Sequence, residues 1–229
     1  MKINRAYMTN CGEYHGVVVV IDVIRAFTTA AVALSRGARE IILVSEVADA
    51  LELRARDPSL RVMGEVNGAK PPAFDFSNSP AELDSKDLTG CTLVQRTTAG
   101  TQGIVRSVSA DVLVAGSLVC AAATVRYLHS INASEITFVI TGKHSGADGN
   151  EDMACADYLE SLLQGMQPDQ STVRQRVLSS TWGSLFGDPR HPELPVSDID
   201  YFLAIDRFDF AMTVTRRGDR LILNSLSAA

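Results

Sequence analysis

The 229-residue chain has only four cysteines, Cys11, Cys91, Cys120 and Cys155, and no two of them form a Cys-x-x-Cys pair. Thiols so widely spaced encode neither a zinc knuckle nor a redox pair; they read as buried free thiols of a reducing compartment. There is no run of about 18 apolar residues, the length that a membrane span requires. The opening Met1-Lys2-Ile3-Asn4-Arg5 is followed by no apolar h-region, so no secretory signal is visible and a cytoplasmic location is expected. Positive charge is in deficit: 21 Lys and Arg face 27 Asp and Glu, for a net charge of −6. A field of that sign repels polyanions and argues against nucleic acid or an anionic membrane as a partner. Internal repeats and low-complexity tracts are absent too.

Several catalytic signatures are also missing. No Gly-x-x-x-x-Gly-Lys-Ser/Thr loop occurs, which excludes a P-loop, and no Gly-x-Gly-x-x-Gly follows an apolar run, which excludes the dinucleotide fingerprint. There is no Gly-x-Ser-x-Gly elbow. Val18 to Thr28 is loosely similar to the aspartyl-phosphatase motif Asp-x-Asp-x-Thr. Ile24 stands where the second Asp is needed, so the general acid of a haloacid-dehalogenase-type phosphatase is missing.

What is present is a 46% hydrophobic chain, apolar enough to fold around a sizeable core. Val17 to Ile21 is a continuous β-branched run, the pattern of a strand buried on both faces. Helical spacing follows over Arg25 to Arg36, with Gly37 at the C′ position. The alternation continues: strands at 39–44, 60–64, 92–95, 111–115 and 135–141, and helices at 47–56, to Val108, from Gly116-Ser117 to His129, and over 151–163. Such alternation predicts an α/β layered fold, with a largely parallel or mixed sheet and flanking helices. After Gly165 the pattern weakens. Ser171 to Phe186 reads as helical, and Phe208 to Val214 with Arg220 to Leu223 as a hairpin around Arg217-Gly218-Asp219. A single domain over 1–229 is expected, and two lobes sharing one site fit as well.

Open α/β sheets bind ligands beyond the carboxyl ends of their strands. The groups delivered there fall into two sets. Asp22, Glu65, Glu151 and Asp152 are hard oxygen donors suited to Mg²⁺. Arg25, Arg96 and Lys143, with the hydroxyls of Thr28, Thr29, Thr98, Thr101 and Ser117, suit a phosphate, and several lie at helix starts where free N–H groups favour anions. His144 and Ser145 follow in the same Gly-rich loop. A metal set beside an oxyanion set is what phosphoryl transfer needs. Each residue also has a plainer reading. Asp22 and Ser117 could be helix caps, Glu65 a loop residue, and Glu151-Asp152 a complement to the helix dipole. His15, His129 and His191 show no ligand spacing, and Trp182 reads as core. The functional reading rests on convergence.

The chain resembles the 2-phosphosulfolactate phosphatase (ComB-like) family. The blocks that carry the resemblance are Val20-Ile21-Asp22-Val23-Ile24-Arg25-Ala26-Phe27-Thr28-Thr29, Gly64-Glu65, Phe74-Asp75-Phe76-Ser77-Asn78-Ser79-Pro80, Thr97-Thr98-Ala99-Gly100-Thr101, Ala115-Gly116-Ser117-Leu118 and Glu151-Asp152 with Ala154-Cys155-Ala156. They recur in order from about residue 17 to 165. The resemblance implies a Mg²⁺-dependent phosphatase of the coenzyme M pathway type with a family-specific α/β fold. It releases phosphate from an anionic phosphosulfolactate and is expected to be a homodimer. Asp22, Glu65, Glu151 and Asp152 become candidate metal or water-activating groups, and Arg25, Thr28, Thr29, Asn78, Ser79 and Ser117 candidate oxyanion contacts. Asp22 stands open as metal ligand, base or nucleophile. The chain departs from the family where Asn is expected at Ala99 and glycine at Ala73 and Ser77. These departures bear on the substrate, and they leave room for a different small phosphoester or for a non-catalytic phosphometabolite binder.

Overall fold

A computed structural model describes residues 1–143 and 146–227. Nine strands make one sheet: β1 (Lys2–Tyr7), β2 (Val17–Ile21), β3 (Glu40–Leu43), β4 (Arg61–Gly64), β5 (Thr92–Arg96), β6 (Val112–Gly116), β7 (Glu135–Ile140), β8 (Phe210–Arg217) and β9 (Arg220–Ser227), in the order β1-β7-β2-β6-β8-β9-β3-β5-β4. The helices are α1 (Ala26–Ser35), α2 (Val47–Arg56), α3 (Pro80–Asp84), α4 (Gly100–Arg106), α5 (Ala121–Ser130), α6 (Asn150–Leu163), α7 (Gln170–Leu178) and α8 (Ile199–Phe202). The architecture is the expected layered α/β fold with a mixed sheet.

The β-branched run of β2 shows how pattern becomes position. It pairs in parallel with β6 on one side and β7 on the other. Val18 and Val20 pack into a core built on α1, while Val19 and Ile21 face a second core built on α5 and α6. Successive side chains of a strand point to opposite faces, so a strand covered on both faces must be apolar at every position. Helix α1 is likewise buried from Ala26 to Leu34. Its alanines let it lie close against its neighbours.

The sheet is not parallel throughout. β1, β7, β2 and β6 run together, and so do β3, β5 and β4. The β8–β9 hairpin joins the two groups through three successive antiparallel pairings, so the groups run in opposite senses. In a flat sheet their carboxyl ends would lie on opposite edges. Here one core around α1 takes side chains from β2, β6 and β7 and equally from β3, β4 and β5. The sheet therefore curls around α1, and the carboxyl ends of both groups meet. The expected hairpin in the C-terminal third is thus the seam of the sheet.

Other differences from expectation are local. β1 was not anticipated, because only Ala6 of its six residues is buried and no apolar alternation marks it. The helix expected over 171–186 stops at Leu178, where Ser179 caps it, and a 3-10 turn follows at Gly183–Leu185. A 3-10 turn at Leu118–Cys120 precedes α5. Among the described residues no helix is long and apolar enough to cross a membrane.

Candidate active site

At the meeting of the strand ends lies a cleft of about 270 Å³. Asp22, Arg25, Glu65, Asn78, Thr98 and Asp152 line it, joined by Ile24, Trp182 and Leu194. Six residues expected at the site from the sequence therefore converge from turns that are far apart in the chain.

Asp22 follows β2 directly. Its Oδ1 accepts the Ala26 N–H at 2.9 Å, so it also serves the start of α1. Gly100, at the start of α4, comes close on the other side: a Cβ there would lie 2.8 Å from Asp22 Oδ2 and 2.6 Å from the Ala26 Cβ. Only glycine allows this approach. Burial pushes the Asp22 carboxyl up to about 7. The Ala26 N–H draws it back, and the charges of Glu65 and Glu151 push it further up.

Glu65 follows β4. Its Oε2 accepts the Gly68 N–H at 2.6 Å and the Thr98 hydroxyl at 2.9 Å, and Oε1 accepts the Thr98 N–H. Arg96, expected at the anion, is not among the residues that line the cleft. It donates to the carbonyls of Ser45 and Glu65 at 3.0 and 2.9 Å, which fixes the turn that carries Glu65.

Asp152, in the first turn of α6, is committed to backbone. Oδ1 accepts from Val23 N at 2.8 Å, and Oδ2 from Gly142 N at 2.7 Å and Thr141 N at 3.1 Å. It clamps the ends of β2 and β7 together. Its carboxyl stands well above the usual range through burial first, then the charges of Glu151 and Asp22. Glu151 sits behind Gly142, where a Cβ would meet its Oε1 at 2.3 Å. Among the described residues its Oε2 is buried without a partner, and burial raises this carboxyl too.

Arg25 is 4% exposed and lines the cleft. Its Nη1 donates to Asp198 Oδ2 at 2.7 Å, and the guanidinium lies 5.4 Å from the Phe186 ring centroid. Asn78 is 4% exposed, and its Oδ1 has no partner among the described residues. Ser79 caps α3 through the Glu82 N–H and donates to Asp198 Oδ1 at 2.6 Å.

Four expected oxyanion contacts lie elsewhere. Thr28 and Ser117 are fully buried, with their hydroxyls 2.8 Å apart, and Thr28 also donates to the Val23 carbonyl at 2.8 Å. Thr29 donates to the Asn78 carbonyl at 3.1 Å. Thr101 is bound up with Thr97, accepting its N–H at 2.8 Å and donating to its carbonyl at 2.9 Å. Their hydroxyls satisfy interior backbone and one another, which is the ordinary fate of buried polar groups. Lys143 lies with Nζ 4.8 Å from the Tyr7 ring centroid. His144 and Ser145 fall outside the described residues. Trp182 is half-buried in the cleft wall, not core. Asp198 was missed altogether, because no strand or helix pattern surrounds it.

A divalent cation is the group to test against this donor set. Asp22 and Glu65 present hard oxygens to the cleft, and Glu151, outside its lining, has a buried oxygen without a partner among the described residues. Among the described residues no three acidic, histidine or cysteine side chains converge as a ready-made metal group. The four-carboxylate set therefore does not form a cage. Mg²⁺ needs none: it is held by one or two carboxylates and takes its other ligands from water and phosphoryl oxygens. The residues fit on those terms.

Residues 4–188 match the profile of the family described as 2-phosphosulpholactate phosphatase. A protein of Bacillus subtilis named probable 2-phosphosulfolactate phosphatase is 31% identical over 202 residues, covering 88% of each chain. Proteins of the same name from Thermotoga petrophila and Carboxydothermus hydrogenoformans are 39% and 40% identical, covering 71% and 64% of this chain and 69% and 60% of their own. Fold and family place the chain among α/β phosphoric monoester hydrolases. The chain belongs to the 2-phosphosulfolactate phosphatase family.

Proposed function

We propose that the cleft hydrolyses a small anionic phosphate monoester with the help of Mg²⁺, and that 2-phosphosulfolactate, named for the relatives, is the first substrate to test. The observation that carries this reading is the convergence of Asp22, Glu65 and Arg25 on one cleft. Arg25 holds the phosphoryl oxygens and offsets the charge that grows on them in the transition state. Asn78 lies beside them to donate from its amide. A carboxylate oxygen of Asp22 not taken up by the cation accepts the proton of the attacking water as the new P–O bond forms and the ester P–O bond breaks; the leaving alkoxide is protonated from solvent. Mg²⁺ held by Asp22 and Glu65 would polarise the phosphoryl group and neutralise charge in this acidic cleft. The product would be sulfolactate, and a coenzyme M route is the expected setting.

A second reading has its own support. Ile24, Trp182 and Leu194 form an apolar wall, which favours a phosphoester with an uncharged, apolar portion. Both readings are tested by phosphate release from 2-phosphosulfolactate and from simple alkyl and aryl phosphates, with Mg²⁺ or with EDTA. Metal-dependent release that falls at least about 10²-fold in Arg25→Ala supports hydrolysis at this cleft, and the preferred ester decides between the substrates. Thermal stabilisation by a phosphoester with no release would instead mark a binding protein.

A further inference from the structure

Asp198 lies beyond the segment that matches the family profile, in the turn before α8. It is fully buried, yet it touches two parts of the cleft at once. Oδ2 accepts from Arg25 Nη1 at 2.7 Å, and Oδ1 accepts from the Ser79 hydroxyl at 2.6 Å and from Ala81 N at 3.2 Å. Those last two groups begin α3, immediately after Asn78. Among the described residues the Arg25 guanidinium makes no other hydrogen bond, so most of its N–H groups remain for a ligand. The family segment delivers the cation and the amide, and the C-terminal third supplies the carboxylate that sets them relative to each other.

We propose that Asp198 is a positioning residue: one oxygen orients the Arg25 guanidinium, and the other fixes the turn that presents Asn78, so that both meet the same tetrahedral anion. The inference rests on the reading of the cleft as a phosphoester site. Its physical basis is that an arginine held by a buried carboxylate is oriented before the ligand arrives, so little reorganisation is left for the reaction. The planar guanidinium loses this advantage if its anchor is replaced by an amide that can turn a second donor toward it.

The test compares the wild type with Asp198→Asn, Arg25→Ala and the double variant. Turnover and the binding of inorganic phosphate are both measured, the latter through the fluorescence of Trp182, which is the chain's one tryptophan and lines the cleft. Asp198→Asn is expected to lower kcat about 10²-fold and to weaken phosphate binding about tenfold, and in the Arg25→Ala background to add only the small share that passes through Asn78, less than about threefold. Losses that multiply in the double variant, or an Asp198→Asn protein with wild-type turnover and phosphate affinity, would overturn the proposal. Should Asp198→Asn not fold, Arg25→Ala against the double variant decides, because the double variant carries no unpaired buried charge. A wild type that binds phosphate but hydrolyses no ester would sink the hydrolase reading alone. One that does not respond to phosphate would sink the positioning role as well.

Discussion

Hydroxyls near a ligand site can serve the scaffold or the chemistry, and Thr28 shows how the choice is made. Its position three residues after Arg25 suits an oxyanion contact, but its Oγ1 is spent on Val23 O and Ser117 Oγ in the interior. Replacing it with valine keeps the shape and strands two buried polar groups. Thr28→Val should cost about 1–3 kcal/mol of stability, while turnover of the folded protein stays within about threefold. Urea denaturation and phosphate release measure the two separately. A large loss of turnover without a loss of stability would return Thr28 to the anion site.

At the scale of elements, the start of α4 closes tightly on the start of α1. A Cβ on Gly100 would meet Ala26 and Asp22 at 2.6 and 2.8 Å, so Gly100→Ala must push the two helix starts apart. Overpacking of this kind typically costs about 1–3 kcal/mol. Because the displaced atoms belong to Asp22 and its neighbour, turnover should fall more than the stability loss explains, and kcat against unfolding free energy is the comparison to make. Asp22, Arg25 and Glu65 were legible in the sequence because each follows an apolar strand, and alternation of strands and helices located those ends. The reversed sense of the β3–β5–β4 group was not legible, since it depends on where a hairpin more than a hundred residues downstream inserts into the sheet. Asp198 escaped for a related reason: its neighbours carry no periodic pattern, and its importance comes wholly from contacts with Arg25, Ser79 and Ala81.

The whole molecule stakes stability on gathering acids around one cleft. Asp22, buried with Glu65 and Glu151 nearby, has its carboxyl raised from 3.8 to about 7. The folded protein thus holds a proton that the unfolded chain releases. The stability this contributes is complete below about pH 4 and is lost as pH rises through about 7; at 1.36 kcal/mol per tenfold change it is at most on the order of 4 kcal/mol. The metal-free protein should therefore lose Tm from about pH 4 to about pH 7 and level off above it, and Asp22→Asn should flatten that slope. A bound cation competes with the same proton. Millimolar Mg²⁺ should raise Tm more at about pH 8 than at about pH 6, and the rise should shrink in Asp22→Asn. Thermal melts across that range, with and without Mg²⁺, carry the measurement. An equal Mg²⁺ shift at both ends of the range, unchanged in Asp22→Asn, would place any cation away from Asp22, because a ligand that shares its site with a titrating carboxylate cannot bind independently of pH.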